Sequence, residues 1–229
     1  MQEIFLREMR NDEQVAQLDP FSLDEFLLYK LPTFNRLGDS QTILGIAQKL
    51  TLSHSPTVLE AKAIVRDLGI IASSLVKHGI PLAAVPNLEI LFIELAKITQ
   101  EVPFKTVFSA STRNCQKDRM RTFTGDEQEK IFIRGLFKGM INMPLCIHKL
   151  LELINISIAD PLFGDLMEGV RTDFSGMIAG MANVRKNVTP SFFTNVLHPY
   201  FLPIQMAGKT YAAESAAQMP ILLVDRMEC

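Results

Sequence analysis

The sequence has no tryptophan, few cysteines and no excess of either charge. Its three cysteines, Cys115, Cys146 and Cys229, lack CxxC spacing, which is typical of free thiols in a reducing compartment. The 23 basic and 25 acidic side chains give a net charge of −2, which argues against a nucleic-acid partner. Since the residues after Met1 do not form a basic and apolar leader, we expect a cytoplasmic protein.

One uncharged stretch, residues 187–208, has the length of a membrane span but not its composition. Pro190, Pro199 and Pro203 interrupt it, and each proline breaks the continuous backbone hydrogen bonding that a lipid-embedded segment requires. We therefore expect no membrane insertion.

The motifs of several common catalytic sites are also missing. The sequence contains no GxGxxG, GxxxxGK, GxSxG or HExxH motif, so the corresponding nucleotide, serine-hydrolase and zinc-protease sites are not indicated. None of the four histidines has a glutamate three residues before it, which disfavours the carboxylate-bridged metal pair of di-iron bundles.

Apolar side chains recur at three- and four-residue intervals along most of the chain, a pattern typical of α-helices. Asp160 before Pro161 and Thr189 before Pro190 predict helix starts, and Pro144 predicts a kink. Strand-like alternation is not sustained anywhere, so the predicted fold class is mainly α. The predicted helices cover residues 22–30 (capped by Ser22), 56–78, 87–99 (capped by Asn87), 126–158, 160–184 and 189–197.

Residues 111–126 lack this periodicity and are rich in polar and turn-forming residues, which predicts an exposed loop. Its four basic side chains allow two interpretations. They could bind a carboxylate or propionate group, or they could be the charges of a solvated linker. The four side chains are Arg113, Lys117, Arg119 and Arg121.

An aromatic segment near the end of the chain is a second candidate site. Phe192, Phe193, Tyr200 and Phe201 lie close to His198 in sequence. These rings could form the wall of an aromatic-ligand site, with the imidazole holding a polar end, or they could be ordinary core packing.

His148, beside Cys146 on the helix that contains Pro144, is a candidate metal or heme-iron ligand. The alternative is a boundary histidine with no ligand, since the sequence does not locate a second metal-binding side chain near it.

Several segments in order along the chain resemble the indoleamine 2,3-dioxygenase superfamily, and within it the chain is most similar to the monodechloroaminopyrrolnitrin synthase (PrnB) family. The most specific short segment is RTFTG, which precedes an acidic helix start. The segments are residues 31–39, 65–79, 85–97, 121–125, 189–193, 197–200 and 208–225.

The resemblance implies a small N-terminal helical domain, residues 1–112, a basic linker loop, 113–126, and the start of a large helical domain that holds heme and substrate, 127–229. It also implies heme b and an indole-type or tryptophan-derived substrate. In this family ferrous heme activates dioxygen beside the indole ring. The implied activity is that of an oxidoreductase of secondary metabolism, by indole oxidation or by a PrnB-like ring rearrangement.

The resemblance also suggests which residues bind substrate. Phe193 matches an aromatic that packs on the indole, and Ser215 with Ala216 matches a small-residue loop that closes over the substrate. Thr194 stands where a second aromatic is usual, and His198 stands where the family has an arginine. An imidazole provides at most one charge-assisted bond to a carboxylate, whereas a guanidinium provides two.

Compared with the family, the sequence lacks the segment beyond the position matching Val224, which carries the proximal histidine on iron. The expected consequence is an open apolar side, covered by a second copy of the chain or by a partner subunit. The alternative to an enzyme is therefore a catalytically inactive, truncated remnant or a binding module of the same family.

Overall fold

The computed structural model describes residues 2–211, with side chains from Arg10 onward, and confirms that this part of the chain is mainly helical. Ser215, Ala216 and Cys229 lie outside the described residues. The α-helices are α1 (Gln2–Gln17), α2 (Leu31–Leu37), α3 (Ser40–Ala47), α4 (Val58–Lys77), α5 (Pro86–Thr99), α6 (Val107–Thr112), α7 (Glu127–Met140), α8 (Met143–Ile154), α9 (Leu162–Asn187) and α10 (Pro190–Phe192). Shorter elements are π-helical turns at Phe26–Lys30 and Phe193–Leu197, 3-10 turns at Leu82–Ala84 and His198–Phe201, and strands β1 (Ile204–Met206) and β2 (Lys209–Tyr211).

Helix α4 is the centre of the fold and agrees with the predicted helix 56–78. It begins at a capping box, in which Thr57 and Glu60 satisfy each other's backbone N–H groups. It ends before Gly79, whose φ of 81° is the left-handed conformation that glycine adopts at little cost. Nearly all of its side chains are buried, because α1, α3, α5 and the 198–201 turn pack around it.

Two predicted helix caps were wrong. Val85, not Asn87, precedes α5, and the Asn87 amide instead donates to the carbonyls of Ala47 and Leu50 at 2.9 and 3.0 Å. In the first predicted helix Ser22 has a φ of 53°, and Asp19 accepts the hydrogen bond from Leu23 N. In the first case partners about 40 residues away replace the local cap, whereas in the second the acceptor is Asp19, only four residues before Leu23.

The predicted kinked helix 126–158 is two helices. The break lies between α7 and α8, and Pro144 occupies the first turn of α8. A proline there costs no hydrogen bond, because the first N–H groups of a helix have no partner within it. Of the next two predicted caps, Thr189 is confirmed and accepts from Phe192 N. At α9 the cap residue is Pro161, and Asp160 before it accepts from Leu162 N.

Helices α7 and α9 approach very closely through glycines spaced four residues apart on each helix. These are Gly135 and Gly139 on α7, and Gly176 and Gly180 on α9. A Cβ added to Gly180 would lie 2.6 Å from the carbonyl oxygen of Gly135, and one added to Gly176 would lie 3.2 Å from the carbonyl oxygen of Lys138. Small residues at this spacing let two helix backbones approach closely, so glycine is required here by packing.

A short antiparallel hairpin, β1 with β2, was not predicted from the sequence. Ile204 and Met206 are buried in the main core while Gln205 points outward. The turn at Ala207 and Gly208 has positive φ at both residues, and Ala207 N donates to Glu89 Oε1 of α5 at 2.8 Å. A strand of three residues gives too little alternation to be recognised in a sequence.

The expectation of free thiols is confirmed for the two cysteines within the described residues, Cys115 and Cys146. Burial raises the pKa of the Cys146 thiol to about 11, which keeps it protonated at neutral pH. Within residues 2–211, no helix has both the length and the hydropathy needed to cross a bilayer.

Candidate functional site

The segment 113–126 is irregular as predicted, but the prediction that it is exposed was wrong. Arg113, Asn114, Arg121 and Phe123 are all nearly inaccessible to solvent. The segment is buried because its basic side chains pair with carboxylates from α1, the 19–25 segment and α4, so the charges are compensated inside the protein.

The partners of these arginines agree with neither of the two interpretations of the basic side chains. Arg113 binds Asp12 and Glu101, with Nε–Oδ1 2.9 Å and Nη2–Oε1 2.6 Å, and Arg119 binds Asp24 with Nε–Oδ2 2.7 Å. Lys117 is exposed. The arginines therefore hold the chain's own carboxylates, which neither interpretation predicted.

Arg121 is the most deeply buried charge of this group, with 1% of its surface exposed. Its Nε lies 2.6 Å from Asp67 Oδ1, and its Nη2 donates to Asp24 Oδ1 at 2.7 Å. Asp67 also accepts two hydrogen bonds from Arg66, at 2.7 and 2.9 Å. One α4 carboxylate thus joins two arginines in the core of the protein.

The segment RTFTG, residues 121–125, is held in one conformation by Glu129 at the start of α7. Glu129 accepts hydrogen bonds from Phe123 N, Thr124 N and Thr124 Oγ1 at 2.7, 2.8 and 2.6 Å. Burial raises the pKa of this carboxyl, while these donors and the charge of Lys105 act in the opposite direction. Asn35 and Asn114 bind the backbone of the same segment at 2.9 and 2.8 Å.

An enclosed cavity lies between this segment, α4 and α7. Its volume is about 40 Å³, so a ligand with an aromatic ring would have to displace wall side chains to enter it. Apolar and aromatic side chains form most of the wall, and a few charged side chains interrupt it, which is the composition of a small-molecule site. The charged and aromatic residues that line the cavity are Arg66, Lys105, Arg121, Phe123, Glu129, Phe132 and Phe201.

Lys105 brings a buried cation to the cavity wall. It is 4% exposed, and its Nζ lies 4.7 Å from the centroid of the Phe123 ring and 5.9 Å from that of Phe201. Both distances are within the range of a cation–π interaction. The cavity therefore combines ring faces with a positive charge.

The aromatic segment divides between core and cavity. Phe192 and Tyr200 are core residues, and the Tyr200 ring stacks on Phe123 with centroids 4.4 Å apart. Phe201 lines the cavity. The core-packing interpretation therefore holds for Phe192 and Tyr200, and the aromatic-ligand interpretation stays a prediction for Phe201.

Of the four substrate-binding residues implied by the resemblance, the structure describes two. Phe193 is half-buried outside the lining set and packs on Phe132 and Phe201, with centroids 5.4 and 6.4 Å apart. His198 is exposed beside Phe193, at 6.1 Å between centroids. Ser215 and its neighbour Ala216 are beyond the described residues.

The described residues do not fit heme at this cavity, because none of the histidines lines it. His148 Nε2 pairs with Glu152 on the outer part of α8, and His78 Nε2 contacts Asn35 Oδ1 at 3.1 Å. His54 contacts Ser53 in a surface loop. Within the described part of the chain, no cluster of three His, Cys, Asp or Glu side chains could hold a metal ion.

Sequence reasoning missed Lys105, Glu129 and Phe132 as site residues. Lys105 follows Pro103 in a short polar-looking connection, and Glu129 looks like an ordinary acidic helix start. The RTFTG segment was the available signal for Glu129, because the backbone of this segment donates to the Glu129 carboxylate.

A family model described as monodechloroaminopyrrolnitrin synthase PrnB matches residues 53–228. The match covers most of the chain, begins after α3 and includes every residue that lines the cavity.

Proposed function

The chain belongs to the PrnB family, and on this premise we propose that it binds an indole-derived substrate in the cavity between α4, α7 and RTFTG. Family membership supports a heme-dependent, oxygenase-like function on such a substrate in general. The finer proposal is a ring rearrangement or an indole oxidation in secondary metabolism, carried out in the cytoplasm.

The observation that carries the proposal is the cavity inside the matched range. Phe123, Phe132 and Phe201 are among the residues that line it. An indole ring can stack on or pack edge-to-face with such side chains, and burying it releases water from apolar surface. The ring-bearing wall is continuous with Phe193, which contacts two of the three rings.

We assign roles to the remaining predicted residues as part of the same proposal. Phe193 holds the rings of Phe132 and Phe201 in position from outside the cavity. His198 lies beside Phe193 at the solvent side, and Ser215 with Ala216 closes over the substrate. We also propose the division into domains 1–112 and 127–229 joined by 113–126, and a second copy or partner subunit over the open side.

Heme, when bound, would supply dioxygen activation. The role that we propose for the described residues is substrate binding. The rings orient an indole, the enclosed wall excludes water, and the paired arginines fix the backbone around the cavity.

The absence of tryptophan gives a direct assay for this binding. An indole ligand can be excited at wavelengths where tyrosine no longer absorbs, so the anisotropy of its fluorescence reports binding without protein background. We expect saturable binding of indole-3-propionate to the wild-type protein. A flat titration at high protein concentration would show that the cavity does not take an indole.

We expect Phe193→Ala to weaken this binding by about 1–3 kcal/mol, because Phe132 and Phe201 lose the ring that supports them. The control is Phe163→Ala, since Phe163 is half-buried on α9 and does not line the cavity. Unchanged affinity in the Phe193 variant would remove this residue from the site.

A second candidate function is a binding module of the same family that carries no heme. The observation in its favour is that no histidine of the described residues lines the cavity. Titration with hemin, followed by visible spectroscopy, separates the two candidates. A saturable Soret band supports the heme-dependent enzyme. A spectrum of free hemin, with indole binding retained, supports the binding module.

We expect His148→Ala to leave any such Soret band unchanged, because His148 pairs with Glu152 away from the cavity. The matched control is Glu152→Ala, which removes the other member of the pair. A band lost only in the His148 variant would identify this imidazole as the iron ligand.

A further inference from the structure

We propose that the cavity binds a small monovalent anion, a halide ion or formate, through the Nε–H group of Arg121. The inference concerns the cavity at its present size, so it goes beyond the proposed function and does not depend on indole binding. It assigns a ligand to a buried donor that has no hydrogen-bond acceptor among the described residues.

The Nε–H group of Arg121 is a charged donor without an acceptor. Nε lies 2.6 Å from Asp67 Oδ1, which brings opposite charges together, but the N–H bond is not directed at that oxygen. Nη2 of the same guanidinium, in contrast, donates to Asp24 Oδ1 at 2.7 Å. The Arg121 side chain is fully enclosed, and a buried donor left unsatisfied is costly. An acceptor supplied by a ligand removes that cost.

The size of the cavity limits this ligand to very few atoms. One water-sized group needs about 10–15 Å³ of such volume, so about 40 Å³ holds roughly three of them. A halide ion or formate, with one to three non-hydrogen atoms, fits without displacement of any wall side chain.

The groups that line the cavity carry more positive than negative charge. Three cations, Arg66, Lys105 and Arg121, line it together with one carboxylate, Glu129. The carboxylate of Asp67, which pairs with both arginines, is not among the lining residues. A ligand in the cavity therefore meets mainly cations.

The arginines of the wall belong to a network with one positive charge in excess. Arg66, Arg119 and Arg121 share only two carboxylates, Asp24 and Asp67. Charges inside proteins are normally compensated, because an unpaired charge is poorly solvated there. One monovalent anion beside Arg121 balances this network.

The remaining pair of charges at the wall does not change this balance. The charge of Lys105 acts on the buried Glu129 carboxylate, so these two groups compensate each other. The Glu129 oxygens accept from the backbone and hydroxyl groups of Phe123 and Thr124. They leave Arg121 Nε without an acceptor.

Asn114 adds a neutral donor to the same wall. Its Oδ1 accepts from Arg121 N at 2.9 Å, and this bond fixes the orientation of the amide. Its Nδ2 donates to Arg121 O at 2.8 Å, and an amide nitrogen has a second hydrogen to give. The wall thus combines a charged donor with a neutral one, which suits an anion better than a cation.

The test measures urea unfolding by circular dichroism at increasing concentrations of sodium bromide, with sodium gluconate keeping the ionic strength constant. Gluconate is too large for the cavity at its present size. An anion that binds only the folded protein raises the free energy of unfolding in a saturable manner. We expect this rise in the wild-type protein with bromide, and a parallel titration with sodium formate distinguishes a halide from a carboxylate as the ligand. A rise with either anion supports the proposal.

Arg121→Met is expected to abolish this rise, because it removes the charged donor from the cavity. The matched control is Arg171→Met on α9, which removes an arginine from an exposed pair and should keep the wild-type dependence on bromide. Comparison of the two variants cancels the general effect of each salt on unfolding.

Two results overturn the proposal. One is the same dependence on bromide in the wild-type protein and in Arg121→Met, which is expected if water alone occupies the cavity. The other is an anomalous signal from bromide-soaked crystals that lies outside the cavity only, since we expect it within hydrogen-bonding distance of Arg121 Nε. Neither result affects the proposed function, because no indole is used.

A second variant keeps the test decisive if Arg121→Met does not fold. Arg121→Lys retains a positive charge but lacks the Nε–H group. We expect its half-saturating bromide concentration to be roughly 10- to 100-fold higher than that of the wild-type protein, the range of one charge-assisted hydrogen bond. An unchanged value in this variant counts against the proposal.

Discussion

Replacement of Arg121 by methionine is expected to lower the free energy of unfolding by about 1.5–3 kcal/mol, the usual contribution of a hydrogen bond to a charged group, because Asp67 and Asp24 each keep another arginine. Arg121 is fully enclosed, and Asp67 beside it has only 1% of its side chain exposed. Without Arg121, Asp67 keeps Arg66 but loses the guanidinium whose Nε lies 2.6 Å from its Oδ1. Asp24 keeps Arg119 and loses its hydrogen bond from Arg121. The measurement is urea unfolding followed by circular dichroism, with the midpoint and slope compared.

The control for this prediction is Arg171→Met on α9. Arg171 also forms a close pair with a carboxylate, Glu168, but both side chains are largely exposed. Pairs of this kind contribute little, because water screens them and two long side chains must be ordered. We expect no measurable change in the control. Equal effects of the two substitutions would show that the buried network is not what stabilises the fold around the cavity.

Replacement of Gly180 by alanine is expected to destabilise the protein by about 1–3 kcal/mol, the usual cost of overpacking. The new methyl carbon would lie 2.6 Å from the carbonyl oxygen of Gly135 and 3.3 Å from Lys138 Cβ, so α7 and α9 would have to move apart. The change would also shift α7, which carries Glu129 and Phe132 at the cavity, so we expect indole binding to weaken as well.

Gly164→Ala, in the same helix, is the matched control for Gly180. No atom lies within 4 Å of a Cβ built on Gly164, and alanine favours the helix over glycine by up to about 1 kcal/mol. The two identical substitutions should therefore change the free energy of unfolding in opposite directions. If Gly180→Ala were also stabilising, the close approach of α7 and α9 would be wrong.

The helices were predictable because their signals are local. Thr189 and Asp160 accept hydrogen bonds from backbone N–H groups two or three residues away. Apolar periodicity, bounded by Pro56 and Gly79, places α4 within a few residues of its observed ends. Of the two wrong caps, Ser22 gives way to Asp19 nearby, whereas Asn87 has partners that are distant in sequence. Asn87 binds the end of α3, about 40 residues away, and the sequence contains no local sign of that contact.

The burial of the basic segment shows the same limit for the candidate site. Arg113, Arg119 and Arg121 look like a solvated charge run, because their partners Asp12, Asp24 and Asp67 lie far away in sequence. The resemblance points to Phe193 in the aromatic segment, whereas the ring of that segment that lines the cavity is Phe201. That distinction depends on how the turn 198–201 packs on α4.

The most direct test of the central claim is a crystal structure of the protein with indole-3-propionate. The account predicts the indole ring in the cavity against Phe132 and Phe201. A ligand bound elsewhere on the protein would contradict it.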